Sequence, residues 1–133
     1  MKYLLDTHTF LWTLAEPRKL PEAVLAATRN PDNEVFISSV SLWEIAIKTR
    51  RGKLDLGGVL NEHLPALAEK MGIQTIPLTP AEASTYGNLT EDTHFDPFDR
   101  MLIWQAISRK MVLVSRDIEF KRFKPDGLKL LWK

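Results

Sequence analysis

Short apolar runs that alternate with helical stretches restrict this chain more than any other feature. Lys2-Tyr3-Leu4-Leu5, Glu34-Val35-Phe36-Ile37-Ser38, Ile73-Gln74-Thr75-Ile76-Pro77-Leu78, Met111-Val112-Leu113-Val114 and Leu128-Lys129-Leu130-Leu131-Trp132 read as strands, the last as an edge strand. Helical stretches separate them: Phe10 to Leu14, Pro21 to Arg29, a helix ending near Arg51, about Val59 to Lys70, one opened by Thr79-Pro80, and one from Pro97 to near Lys110. Asn30-Pro31-Asp32-Asn33, Gly52, Gly57-Gly58 and Gly72 punctuate them as turns and helix stops. Strands alternating with helices predict an α/β fold with a largely parallel central sheet flanked by helices. The length of 133 residues and 44% hydrophobic content suit one filled core, hence a single domain over residues 1–133.

A largely parallel sheet carries its functional site outside the carboxyl ends of its strands, and acids fall there. Asp6 follows Leu4-Leu5 directly, and Asp117 follows Val112 to Val114 at one turn's remove. Glu44 heads the helix after the second strand, three residues beyond Ser41, which reads as its N-cap. The stretch from His94 to Ile107 adds Asp96 and Asp99. From Asp99, helical steps of three, four, seven and eight land on Leu102, Ile103, Ala106 and Ile107, so this carboxylate shares the buried face. Asp96 before Pro97 suits a helix cap, a role that does not account for Asp99.

Each acid also has a plainer use. Asp6 and Asp117 suit turns, and Glu44 suits a capping box or a pair with Lys48. His8 and His94, beside the acids, rank below them as ligands because a histidine next to a turn is more often a hydrogen-bonding residue. Trp43 and Trp104 occupy apolar helical positions and are expected in the core, and the polar stretch from Leu89 to Phe95 is expected to be a mobile loop.

Taken together the acids demand neutralisation. Two unit charges about 4 Å apart repel by roughly 4 kcal/mol near a protein surface, against a total stability of about 5–15 kcal/mol. Oxygen donors without cysteine select hard cations, so Mg²⁺, with Mn²⁺ as a substitute, is the expected cofactor, and hydrolysis of a phosphoryl ester the expected chemistry. The absence of cysteine also excludes a disulfide framework. No apolar run matches a membrane span or a signal peptide, so no membrane association and a cytoplasmic location are expected. A net charge of +1 does not announce a nucleic-acid binder, although Lys48, Arg50, Arg51 and Lys53 form one basic cluster and Arg116, Lys121, Arg122 and Lys124 another.

Leu4-Leu5-Asp6-Thr7-His8, Ser41-Leu42-Trp43-Glu44-Ile45-Ala46-Ile47-Lys48, His94-Phe95-Asp96-Pro97-Phe98-Asp99-Arg100 and Val114-Ser115-Arg116-Asp117 together resemble the ordered motifs of PIN-domain ribonucleases. The resemblance is strongest to VapC-type toxins of toxin–antitoxin pairs and covers almost the whole chain. It implies Mg²⁺ held by Asp6, Glu44, Asp99 and Asp117, with Asp96 as a second-ranked ligand, and cleavage of single-stranded RNA, with structured RNA also open. It further implies an antitoxin whose C-terminal segment blocks the site, and a toxin homodimer within the complex. On this reading Thr7 and Ser115 support the ligands by hydrogen bonding, and Lys48, Arg100 and Arg116 hold RNA phosphate. The rival readings are a receiver-like domain that accepts a phosphoryl group on aspartate, and an RNA-binding PIN relative without catalysis. Against the first, Asp6 is followed by Thr7-His8 rather than by another acid.

Overall fold

Leu4 and Leu5 are both wholly buried, yet they belong to different halves of the core. The computed structural model, which describes residues 1–133, explains this through the period-two alternation of a strand covered on both faces. The elements run β1 (Lys2–Leu5), α1 (Thr7–Ala15), α2 (Glu22–Arg29), β2 (Glu34–Ser38), α3 (Ser39–Arg50), α4 (Leu64–Lys70), β3 (Ile73–Ile76), α5 (Pro80–Thr85), α6 (Pro97–Ser108), β4 (Val112–Val114) and β5 (Lys129–Leu131). The five strands form one all-parallel sheet in the order β3-β2-β1-β4-β5. Leu4 sits opposite Phe36 and Leu113 and packs in the half of the core that holds Ile103, Phe120 and Phe123. Leu5, opposite Val114, joins Phe10, Val24, Ile37, Ile45 and Leu64 on the other face. The α/β architecture and the edge position of the last strand are as the sequence predicts. No helix is long and apolar enough to cross a membrane.

Local boundaries differ in ways that matter. The cap of α3 is Ser38, whose hydroxyl accepts from the Val40 N–H at 3.0 Å; Ser41 lies inside the helix and is fully buried. The helix therefore begins earlier than the Ser41–Glu44 spacing implies, and Glu44 is released from any capping role. The helix expected from Val59 starts only at Leu64, after a 3-10 turn over Asn61–His63. Trp43 is not core: it is 60% exposed, whereas Trp104 is half-buried and donates from Nε1 to Thr85 Oγ1 at 3.1 Å. The stretch from Leu89 to Phe95 is irregular but anchored, since the Thr90 N–H and hydroxyl both donate to Asp126 Oδ1.

A buried polar chain ties α5 and α6 to the start of α3. Ser38 Oγ donates to Gln105 Oε1 at 2.6 Å, Gln105 Nε2 donates to Glu82 Oε1 at 3.0 Å, and Arg109 Nε donates to Glu82 Oε2 at 2.6 Å. Glu82 also closes a capping box with Thr79 at the start of α5. Burial would raise the Glu82 carboxyl, but Arg109, Gln105 and the Thr79 N–H outweigh it and hold it at about 2. A carboxyl lowered in the folded state stabilises above its unfolded value and loses that contribution as pH falls through the folded value. Glu82→Ala should thus cost about 3 kcal/mol in urea unfolding at pH 7, as expected for breaking a buried ion pair, with the gap to wild type narrowing as pH drops from about 4.5 toward 2. A gap independent of pH would show that the pair contributes through packing alone.

Candidate metal and nuclease site

The end of β1 delivers Asp6 straight into the N-cap of α1, where Oδ1 accepts from the Thr9 N–H at 2.9 Å. Asp6 is only 8% exposed, and burial pushes its carboxyl up, opposed by hydrogen bonds from Ser115 and Thr9 and by the nearby His8. Ser115, buried after β4, also accepts from the Asp117 N–H at 3.1 Å, so one hydroxyl connects the acids that follow β1 and β4. Asp117 Oδ1 in turn accepts from the Glu119 N–H at 2.9 Å and caps the 3-10 segment Ile118–Asp126.

Beside Asp6, Thr7 Oγ1 donates to Glu44 Oε1 at 2.6 Å. A hydroxyl has one proton, so the Ser41 hydroxyl, 3.0 Å away, donates to Thr7. The other Glu44 oxygen takes the Lys48 ammonium at 2.5 Å, one helical turn on. Glu44 is 4% exposed, which the capping-box reading does not explain and a paired internal charge does. Lys48 has its proton held more firmly than usual, first by the hydrogen bond to Glu44 against the effect of burial, and also by the charges of Asp96 and Asp99.

Packing of α6 against α3 brings Asp99 into this field. Its carboxyl is raised to about 6, chiefly by burial and also by the charges of Asp96 and Glu44, while its hydrogen bond with His94 works the other way. His94 Nε2 lies 2.9 Å from Asp99 Oδ2, and the ring stands edge-on to Phe120 and Phe123. Asp96 is exposed and caps α6, accepting from the Asp99 N–H at 3.0 Å. The capping role read from Asp96-Pro97 is therefore observed.

The expected residues thus come together as two connected groups at one edge of the sheet: Asp6, Ser115 and Asp117, and Thr7, Glu44, Lys48, Asp96 and Asp99. As the side chains stand, no three acids or histidines are gathered tightly enough to coordinate one ion. The donor chemistry nevertheless fits a hard divalent cation, because Asp6 and Asp99 are both held above the ordinary carboxylate range by lost hydration, which a cation would replace. Arg100 is occupied within the fold, where Nη1 donates to the Glu91 and His94 carbonyls at 2.8 and 3.0 Å and the guanidinium lies over Tyr86 and Phe123. Arg116 is exposed and lies over Trp12, 5.0 Å from the ring centroid. The partnership of His94 with Asp99 has no signature in the sequence, because the 3-10 segment that supplies its aromatic walls lies more than twenty residues away.

Asp99 generates a pH-dependent prediction. A carboxyl whose folded value of about 6 exceeds its unfolded one penalises the charged fold above that value, and the penalty fades as pH falls toward about 4. In chelator, Asp99→Asn should therefore stabilise the protein at pH 7.5 by roughly 1–2 kcal/mol after discounting for partial exposure, and by much less at pH 4.5. Urea midpoints of the two proteins at both pH values measure this; an equal gain at both would assign the effect to something other than the charge.

A PIN domain model matches residues 3–124. The chain is 32% identical over 114 residues to Ribonuclease VapC22 of Mycobacterium tuberculosis, covering 86% of this chain and 85% of that protein. In fold it is similar to the VapBC2 structure from Rickettsia felis bound to a promoter DNA fragment, with a TM-score of 0.70, 20% identity and all of both chains covered. It is likewise similar to DNA-bound VapBC from Salmonella typhimurium, with a TM-score of 0.69, 23% identity and 98% and 97% of the chains covered. VapBC-1 from nontypeable Haemophilus influenzae aligns with a TM-score of 0.71 at 17% identity, over 98% and 97% of the chains. The family match spans four of the five strands and every acid of the site: the chain belongs to the PIN domain family, among its VapC-type members.

Proposed function

We propose that this protein is a Mg²⁺-dependent endoribonuclease, with Mn²⁺ able to substitute, acting as the toxin of a toxin–antitoxin pair. The observation that carries the reading is the pair of poorly hydrated carboxyls at the carboxyl edge of the parallel sheet, Asp6 buried and Asp99 half-buried. Asp6, Asp99 and Asp117 are the ligand set, Glu44 is a further ligand or orients the attacking water, and Asp96 is the second-ranked ligand. A divalent ion held there supplies an acidified water and stabilises charge on a phosphoryl oxygen.

The protein's own groups prepare the reaction. Thr7 and Lys48 hold the two Glu44 oxygens in one orientation, while Ser115 supports the Asp6 carboxylate and accepts from the backbone N–H of Asp117. His94 holds a proton against Asp99 Oδ2 and fixes that carboxylate's direction. Lys48, balanced among three acids, and the exposed Arg116 are the cations that meet the RNA phosphates. Arg100 is removed from that role, since its guanidinium braces the loop that carries His94.

The antitoxin reading is supported by the VapBC complexes among the structural relatives and by a groove of about 630 Å³ between α1 and α4. Leu11, Trp12, Leu14, Leu56, Leu64 and Leu67 line it, with His8 carrying it toward Asp6. An apolar antitoxin segment in this groove presents a C-terminal Arg or Lys to the acids, in competition with the metal. The partner's apolar contacts are thus assigned to α1 and α4. The toxin acts as a homodimer in that complex and works in the cytoplasm.

Asp6→Asn, Asp99→Asn and Asp117→Asn should each abolish cleavage of RNA in Mg²⁺ while leaving the circular dichroism spectrum intact, with Asp96→Asn milder. An Asp99→Asn protein that cuts at the wild-type rate would remove that residue from the mechanism. Inhibition by an antitoxin C-terminal peptide should weaken as Mg²⁺ rises and respond far less to monovalent salt of matched ionic strength. An inhibition constant indifferent to Mg²⁺ would place the peptide's action away from the carboxylates.

A further inference from the structure

Large apolar side chains stand exposed immediately beside the acids of the site. Trp43, 60% exposed, precedes Glu44; Ile118, 74% exposed, follows Asp117; and Phe95, 82% exposed, lies between His94 and Asp96. Trp43 is held edge-on by Phe98, the neighbour of Asp99, with ring centroids 5.3 Å apart. None of the three exposed side chains serves the core, where the alternating strands and helix faces already supply the packing. An aromatic ring this open to water gains from a partner that offers a flat face.

The charges nearby indicate what that partner is. Helical steps of four and seven from Trp43 lead along one face of α3 to Ile47 and Arg50, with Arg51 as the C-cap beyond them, so the stripe begins with an aromatic ring and ends in cations. Arg50 and Arg51 are exposed and make no ion pair. An aromatic platform followed by basic residues matches a single-stranded polyanion, whose bases stack while its phosphates track the cations. A duplex offers no such faces, because its bases are stacked on one another and its grooves expose only edges.

We propose that Trp43, supported by Phe98, and Phe95 are base-stacking residues that hold unpaired nucleobases of the RNA beside the carboxylates. The inference rests on the ribonuclease reading above and adds specificity determinants to it. Stacking acts in the ground state, so its loss raises KM with little change in kcat.

Binding is measured in chelator by fluorescence anisotropy of a short end-labelled RNA strand, and of the same strand annealed to its complement; cleavage is measured separately in Mg²⁺. Trp43→Ala and Phe95→Ala should each weaken single-strand binding roughly tenfold and raise KM to a similar degree, whereas Trp43→Phe and Phe95→Trp should retain most of the affinity. RNA should quench tryptophan fluorescence in the wild type, and Trp43→Phe should lose that quenching while still binding. If the wild type neither binds nor cuts RNA, the ribonuclease reading falls and this inference with it. If the wild type cuts and the two alanine variants bind and cut equally well, only the stacking assignment is overturned. It is also overturned if Trp43→Ala converts a dimer to a monomer in sedimentation with no loss of RNA affinity per protomer, because the exposed ring then belongs to a second copy of the chain.

Discussion

Everything at the site depends on β1 pairing in parallel with two neighbours at once. With β2 on one side and β4 on the other, all three strands finish at the same edge, and the chain's direction of travel across the sheet reverses between β1 and β4. A crevice opens at such a reversal because the connections leave toward opposite faces. Asp6 and Asp117 stand on its two banks, and Ser115 spans them. The hydrogen bond from the Asp6 N–H to the Val114 carbonyl, at 3.1 Å, continues the sheet's pairing to the lip of the crevice.

The second group of acids is held by polar contacts that the core encloses. Ser38, Gln105, Glu82 and Arg109 form a chain of hydrogen bonds from the β2–α3 junction to the far end of α6. Such contacts are directional where apolar packing is not, so they fix how α6 lies along α3 as well as how tightly. That alignment brings Asp99 within the electrostatic reach of Glu44 and sets Phe98 against Trp43. Arg100 does the same for the loop before α6, holding two of its carbonyls so that His94 meets Asp99.

The site is charged at the expense of the fold. Asp6 is buried and Asp99 half-buried where their charged forms are poorly solvated, and Asp99 also feels two other acids. Lys48 offsets part of this from within, one turn along α3 from Glu44. A single, partly exposed ammonium answers a cluster of carboxylates only in part, which leaves an appetite for cations. A divalent ion and a guanidinium or ammonium from a partner satisfy it by the same electrostatics, and that shared preference links catalysis with inhibition on the proposed function.

The sequence by itself determined the alternation of strands and helices, the parallel sheet, and the acids Asp6, Glu44, Asp99 and Asp117 at its carboxyl edge. It did so because strand and helix periods and the chemistry of strand ends are local properties, written within a few residues. The cap of α6 at Asp96 was legible for the same reason. The cap of α3 was not, since Ser38 and Ser41 both precede helical residues and only the path of β2 decides between them. The exposure of Trp43, the burial of Ser41 and Glu44, and the pairing of His94 with Asp99 were decided by the tertiary structure. The first two depend on which face of α3 meets a neighbour that lies tens of residues away in sequence, and the last on the loop that Arg100 braces ahead of α6. Helical periodicity identifies a face, but only the packing of α3 against α1 and α6 determines that Glu44 turns inward and Trp43 toward solvent.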